Sequence, residues 1–226
     1  MTKHDDELIA LLLGDRRRSP ALARWLGTLE GRRELNAYRR TLTLLDRLHG
    51  DARATARRTV HYCALATPIG RVFVAASEAG LVRLSFRLSE ASFVAELRAR
   101  LGAEVVRSAT RTAEIVHQLR GYFAGERRTF DMRLDLRHIS PFQRRVLLAA
   151  ARVPAGQVVS YGEIARRIGA PHGSRAVGQA LGHNPVPIVI PCHRVVAAGG
   201  RIGGYTGGLG IKRKLLRIEG ARAAAG

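Results

Sequence analysis

The sequence predicts an α/β unit followed by a mostly α-helical unit with a helix-turn-helix, and ahead of both an additional N-terminal helical extension. Three observations predict it. Leucines recur at helical spacing before Gly50, short apolar segments divided by turn residues begin at His61, and helix-start and helix-stop residues alternate from Ser140 onward. With 226 residues and 46% apolar content the chain can bury a real core, and its length suits one large domain or two small ones.

The extension, residues 1–59, carries apolar groups at helical spacing: Leu8, Leu11 and Leu12, then Leu22, Trp25, Leu26 and Leu29, then Tyr38, Leu42, Leu45 and Leu48. Its last stretch, Gly50 to Thr59, is polar and basic without an apolar period and is read as a linker. Residues 60–137 form the α/β unit. Strands are expected over His61–Ala66, Arg71–Ala76 and Leu81–Phe86, divided by the turns Thr67–Gly70 and Glu78–Gly80. Helices follow over 90–101 and 110–123, with a further strand from Phe130 to Leu136.

In residues 138–226, Ser140-Pro141 opens a helix with proline in its first position, and Phe142, Val146, Leu147 and Ala150 form its apolar stripe. Ser160-Tyr161-Gly162-Glu163 fits a capping box for a short helix to Ile168. After the break at 169–173, Arg175 to Leu181 forms the second helix of the pair. Val177, Ala180 and Leu181 share its inner face, while Arg175, Gly178 and Gln179 lie on or near the outer one. Small residues beside one projecting arginine let a helix approach a nucleic-acid groove; a tightly packed surface helix has the same pattern. A last helix is expected over Leu209–Ile218.

The net charge is +20, and residues 138–226 hold 13 basic and 2 acidic residues. An excess concentrated in one segment favours a polyanion, nucleic acid before an anionic membrane. No run of about 18 apolar residues occurs and Met1 to Glu7 is acidic, so a soluble, cytoplasmic protein without a membrane partner is expected. The two cysteines, Cys63 and Cys192, lie far apart without CxxC spacing, which suggests neither a disulfide framework nor a cysteine zinc site. Neither a metal nor a cofactor is expected. Cys63, in the first strand, reads as core.

Three prolines stiffen the approach Asn184-Pro185-Val186-Pro187-Ile188-Val189-Ile190-Pro191 to Cys192-His193-Arg194-Val195. A buried cysteine is commonly an inert small hydrophobe. A nucleophilic one needs a base or positive field to favour thiolate, and His193 and Arg194 are candidates for either. In an extended segment, neighbouring side chains diverge, so His193 would act through a bridging water. Glu219 sits at a helix C-terminus, where an acid opposes the dipole. It is either a surface glutamate or one retained for a partner, with His193 the natural choice.

Pro191-Cys192-His193-Arg194-Val195 with Asn184-Pro185-Val186-Pro187 resembles the active-site signature of O6-alkylguanine-DNA alkyltransferases, the methylated-DNA–protein-cysteine S-methyltransferases. The resemblance runs through Val158–Gly162, Ser174–Gly178, Gly204–Gly208 and Leu216–Gly220, covering about 138–220 densely and 60–137 more loosely. It implies a ribonuclease H-like small sheet with helices in the α/β unit. It also implies direct DNA repair: irreversible, single-turnover transfer of the alkyl group from O6-alkylguanine, and from O4-alkylthymine, onto Cys192. In such proteins His193 would activate Cys192 through water, Glu219 would orient His193, and Asn184 would brace the turn.

Further roles are implied by the same resemblance. Arg175 would fill the gap left by a flipped nucleotide, with Ala176, Gly178, Gln179 and Tyr161 also facing DNA through its minor groove. Tyr161 would help flipping and donate a hydrogen bond to the guanine. The loop with Tyr205, Thr206 and Gly207 would cover the base, which backbone groups around Cys192, Val195 and Thr206 would read. The partner is then double-stranded DNA containing O6-alkylguanine, met by a monomer; the extension's own partner is unknown. The run from His4 to Leu48 also resembles the helical zinc-binding domain of bacterial anti-sigma factors, but with Thr28 and Gly31 in place of the CxxC cysteines.

Relatives that bind lesions without accepting the alkyl group have tryptophan where Cys192 stands. Two other classes stay open on the residues alone. In a non-enzymatic DNA binder or regulator Cys192 is merely structural. In a Cys–His hydrolase the thiol turns over repeatedly and needs an oxyanion hole.

Overall fold

The computed structural model describes residues 20–33, 36 and 58–221. Residues 1–57 and 58–226 form two separate units. In the first, helix α1 (Pro20–Leu26) contains Leu22, Trp25 and Leu26. Thr28 Oγ1 then accepts from the Gly31 amide at 3.0 Å. A Cβ on Gly31 would fall 2.1 Å from the Trp25 carbonyl oxygen, so this backbone has no room for a cysteine there. Leu29 is exposed instead of joining an apolar stripe. The other helices expected in the extension and its linker lie outside the described residues.

The second unit opens with a mixed sheet of order β3-β2-β1-β4, made of β1 (Thr59–Thr67), β2 (Gly70–Ser77), β3 (Gly80–Phe86) and β4 (Glu104–Arg107). The first three strands are an antiparallel meander, and β4 runs parallel to β1. Strand alternation separates two apolar faces. Val60, Tyr62, Phe73, Ala75 and Val82 face α2 (Glu90–Leu101), whose Phe93 and Leu97 complete that core. The Phe73 and Phe93 rings stack with centroids 5.1 Å apart. Cys63, Leu65, Val72, Val74 and Leu84 face the other way, into the core that continues through the helical part.

Three features depart from expectation. β4 was not anticipated; its four residues gain strand character by pairing with β1. The expected strand Phe130–Leu136 is an extended segment with a single bridge, Leu134 to Leu81. It comes so close to Gly80 (φ +133°) that a Cβ there would lie 2.2 Å from the Arg133 carbonyl oxygen. The expected helix 110–123 is a 3₁₀ turn, Thr110–Thr112, leading into α3 (Ala113–Phe123).

The helical part contains α4 (Pro141–Ala151), α5 (Tyr161–Arg167), α6 (Ser174–Gly182) and α7 (Leu209–Ile218), with a small parallel pair β5 (Val159–Ser160) and β6 (Val195–Val196). The Ser140 hydroxyl caps α4 by accepting from the Gln143 amide at 3.2 Å, and Ser160 caps α5 by accepting from Glu163 at 3.1 Å. The Glu163 carboxylate does not close a capping box; it pairs with Arg166 and Arg167. α5 and α6 form the helix-turn-helix. Val177, Ala180 and Leu181 are buried, while Arg175, Ala176 and Gln179 are exposed. No helix among the described residues is long and apolar enough to cross a membrane.

Candidate active site

The apolar run after α6 is sealed inside the core, with Val186, Ile188, Ile190 and Cys192 all buried. Ile188 turns through a positive φ of 76°, a costly conformation for a β-branched residue that persists only where its surroundings enforce it. Asn184 supplies part of that enforcement. Its Oδ1 accepts from the Val186 amide at 3.0 Å, and its Nδ2 donates to the Ile190 carbonyl at 2.9 Å and to Cys192 Sγ at 3.2 Å. The bracing amide is therefore also a hydrogen-bond donor to the thiol sulfur.

Cys192, His193 and Arg194 form a 3₁₀ turn, not the extended segment expected. His193 is fully buried, and its Nε2 lies 2.8 Å from Glu219 Oε1. With the proton assigned to Nε2 by its carboxylate partner, Nδ1 is left as a lone-pair acceptor; that buried atom has no hydrogen-bond partner. Arg194 is turned to the carboxylate, and the charge that acts on the thiol is that of Lys212. Arg194 Nε and Nη2 donate to Glu219 at 2.8 and 2.9 Å, and its Nη1 donates to the Val153 carbonyl. Tyr122, from α3, donates to Glu219 Oε1 at 2.7 Å.

These contacts set the protonation states. Burial acts to raise Glu219, but hydrogen bonds from His193, Arg194 and Tyr122 outweigh it and hold the carboxyl at about 2. Burial lowers His193 against the pull of Glu219. Burial also raises the Cys192 thiol, opposed by the Asn184 hydrogen bond and the Lys212 charge. The resting site is thus a neutral thiol beside a neutral imidazole anchored to a carboxylate.

Lys212 had no place in the sequence reading. Fully buried on α7, it donates from Nζ to the carbonyls of Val195 at 2.7 Å and Gly204 at 3.2 Å, and burial lowers it to about 8. It occupies the apolar stripe with Leu215 and Leu216, and a lysine in that register was the available signal. Tyr161 donates to the same Gly204 carbonyl at 3.1 Å, and its ring lies under the Lys212 ammonium at 5.9 Å.

A cleft of about 540 Å³ opens beside the sulfur, lined by Cys192, Tyr161, Arg175, Gly178, Tyr205 and Thr206 among others. Ala176 and Gln179 lie on the exposed side of the same helix. Tyr205 stacks on Phe86 and buries its hydroxyl oxygen, which comes close enough to Cys192 for each to influence the other's titration. That oxygen has no hydrogen-bond partner. Thr206 Oγ1 donates to the Gly182 carbonyl at 2.6 Å, and Gly207 is buried against Phe86. Val195 is buried, with its carbonyl held by Lys212. Cys63 is packed in the sheet core.

A sheet unit docked on a helix-turn-helix, with a thiol lining the cleft and a fully buried imidazole–carboxylate pair beginning at the next residue, defines a class of two-part proteins with a single cysteine at the floor of a helix-flanked pocket. The family model for the 6-O-methylguanine DNA methyltransferase ribonuclease-like domain matches residues 60–136, and that for the DNA binding domain of the same proteins matches residues 141–221. A methylated-DNA–protein-cysteine methyltransferase of Methanosarcina acetivorans is 39% identical over 72% of this chain and 99% of its own length. One of Mycobacterium tuberculosis is 54% identical over 49% of this chain and 66% of its own length, so the match spans just under two thirds of that relative. The solved structure of Mycobacterium tuberculosis OGT in complex with DNA aligns with a TM-score of 0.63 and 42% identity, over 73% of this chain and 96% of that one. The chain belongs to the 6-O-methylguanine DNA methyltransferase family.

Proposed function

We propose that this protein repairs O6-alkylguanine in double-stranded DNA by moving the alkyl group onto its own Cys192. The observation that carries this reading is the buried constellation itself. Asn184 donates to the sulfur, His193 is fixed by Glu219 with its free lone pair on Nδ1, and the cleft beside Cys192 is walled by the helix-turn-helix.

In this reading the Cys192 thiol gives its proton through a water to His193 Nδ1, and the sulfur attacks the alkyl carbon. The carbon–O6 bond breaks as the carbon–sulfur bond forms; the guanine leaves as an anion and takes a proton from water, to which the His193 imidazolium returns the thiol's proton. Tyr161 donates a hydrogen bond to the purine as negative charge grows on it. Burial, then the neighbouring Cys192, keeps this phenol protonated well into the alkaline range, which suits a donor. Glu219 steadies the imidazolium that forms. The product thioether has no easy leaving path, so each molecule acts once. O4-alkylthymine presents the same alkyl–oxygen bond and is a second substrate.

Reaching a base inside a duplex requires flipping it out. Arg175, exposed at the start of α6 and lining the cleft, fills the vacated space, with Ala176, Gly178 and Gln179 against the minor groove. Backbone groups of Val195 and Thr206 read the guanine, and Tyr205 and Gly207 cover it. The protein works as a cytoplasmic monomer with access to nucleoid DNA. Residues 60–137 serve as scaffold, residues 138–226 bind DNA and react, and residues 1–59 are a separate extension.

The test is intact-protein mass after incubation with a stoichiometric duplex containing one O6-methylguanine. A gain of one methyl on Cys192 that then stops, absent in Cys192→Ala, supports the reading. Binding without mass gain leaves a lesion binder, and repeated turnover leaves a hydrolase.

A further inference from the structure

Glu219 takes four hydrogen bonds, and three of them end on one oxygen. Oε1 accepts from His193 Nε2, Arg194 Nη2 and Tyr122 OH, while Oε2 accepts only from Arg194 Nε. His193 and Arg194 lie on the catalytic turn. Tyr122 comes from α3, 97 residues earlier in the chain and within the segment matching the ribonuclease-like domain. A second residue from the same side, Arg128, donates to the carbonyl of Ile218, immediately before Glu219. The sheet unit therefore grips the carboxylate and the end of α7 that bears it.

Packing alone does not account for Tyr122. Its ring is fully buried against Phe123 and Phe130, where a phenylalanine would fill nearly the same volume, yet a hydroxyl is placed 2.7 Å from the oxygen that orients His193. A neutral donor at a carboxylate oxygen takes up part of its charge and leaves less to stabilise a cation on the other side.

We propose that Tyr122 is a positioning residue for the reaction: its hydroxyl fixes Oε1 of Glu219 and draws on the carboxylate charge, so that His193 rests as a neutral proton acceptor. The proposal rests on the alkyl-transfer reading, in which His193 must be neutral to take the Cys192 proton. The groups facing the pair are consistent with it. Arg194 from the turn and Lys212 from α7 both disfavour a second positive charge on His193, and Glu219 alone favours one. Tyr122, facing Glu219, Arg194 and Arg128, is held protonated across the working range, first by burial and then by the Glu219 charge. It donates at every pH at which the site operates.

The experiment compares the full chain with Tyr122→Phe in two measurements against pH. One is the rate of methyl transfer from an O6-methylguanine duplex; the other is the titration of the His193 ring, followed by NMR with labelled histidine. Without the hydroxyl, Glu219 stabilises the imidazolium more strongly, so the acid limb of the rate profile and the ring midpoint both move to higher pH, by about half a unit to one unit. Replacing Tyr122 by 3-fluorotyrosine, a stronger donor of nearly the same size, moves both to lower pH, and decides the matter if the phenylalanine variant does not fold. Unchanged midpoints, or a uniform loss of rate at every pH, overturn the proposal and leave Tyr122 a packing residue. If the wild type transfers no methyl group the functional reading fails, while the ring titration still tests the link between Tyr122 and His193.

Discussion

The rings of Phe86 and Tyr205 are stacked, with centroids 6.0 Å apart and planes 22° from parallel. Phe86 ends β3 of the sheet unit and Tyr205 lines the cleft, so the sheet helps to hold one wall of the cleft. Arg87, forced to a positive φ of 72°, adds a hydrogen bond to the Gly207 carbonyl at 3.2 Å.

Gly207 lies where this contact is tightest. A Cβ there would fall 2.2 Å from Phe86 Cε2 and 2.9 Å from Tyr205 Cε1, and neither ring can withdraw without breaking the stack. Gly207→Ala is expected to displace the loop and cost about 1–3 kcal/mol, with a slower alkyl transfer. Urea unfolding and single-turnover rates check this. A variant with wild-type stability and rate shows that the loop is free to shift.

The charge on Glu219 makes its contribution pH-dependent in a definite direction. Its carboxyl is held at about 2 in the folded chain, against about 4.3 when unfolded. Its stabilisation is therefore fully present above the unfolded value and lost as pH falls toward the folded one. Glu219→Gln leaves the buried Arg194 guanidinium without its counter-charge, expected to cost about 3–5 kcal/mol at neutral pH. The gap between wild type and variant should narrow between about pH 5 and pH 2. Denaturant melts across that range measure it; a constant gap means Glu219 is not ionised as described.

Lys212 works in the opposite sense. Burial lowers it to about 8, whereas an unfolded lysine titrates near about 10.4. Below pH 8 both states are protonated and the full desolvation cost of the ammonium stands. Between the two values the folded chain releases its proton first and the unfolded chain holds more, so stability rises with pH. Relative to Lys212→Met, the wild type should gain up to about 3 kcal/mol from pH 8 to 10.5. Parallel melting curves over that window test this, and a flat difference excludes a buried charged lysine.

What could be read from the sequence was whatever is written locally. Ser140-Pro141 and Ser160 announce helix starts through side-chain caps within the same turn. The inner face of α6 follows from spacing, and Asn184, Cys192 and His193 stand in one short stretch. β4 was not legible because its strand character comes from pairing with β1. Phe130–Leu136 misled because its apolar residues alternate and pack on the core, while its backbone makes a single strand bridge, to Leu81. Tyr122 reads as an ordinary core aromatic on the stripe with Ile115 and Leu119; only the folded chain shows the carboxylate it meets.

Gly178 separates what the fold requires from what DNA binding requires. In the free protein a Cβ at this position would meet only the Tyr161 ring, at 3.8 and 3.9 Å, which is ordinary contact. Because alanine favours a helix over glycine by about 1 kcal/mol, Gly178→Ala should leave the protein as stable as the wild type or slightly more so. If α6 presses its small-residue face into a groove, the added methyl group sits between helix and DNA. Affinity for an O6-methylguanine duplex should then fall roughly 10-fold, about 1.4 kcal/mol. Fluorescence anisotropy at one fixed salt concentration reads the affinity, since phosphate contacts make it salt-dependent. Full stability with weakened binding places the bare face of α6 against DNA; full stability with unchanged affinity means that another surface makes the close approach.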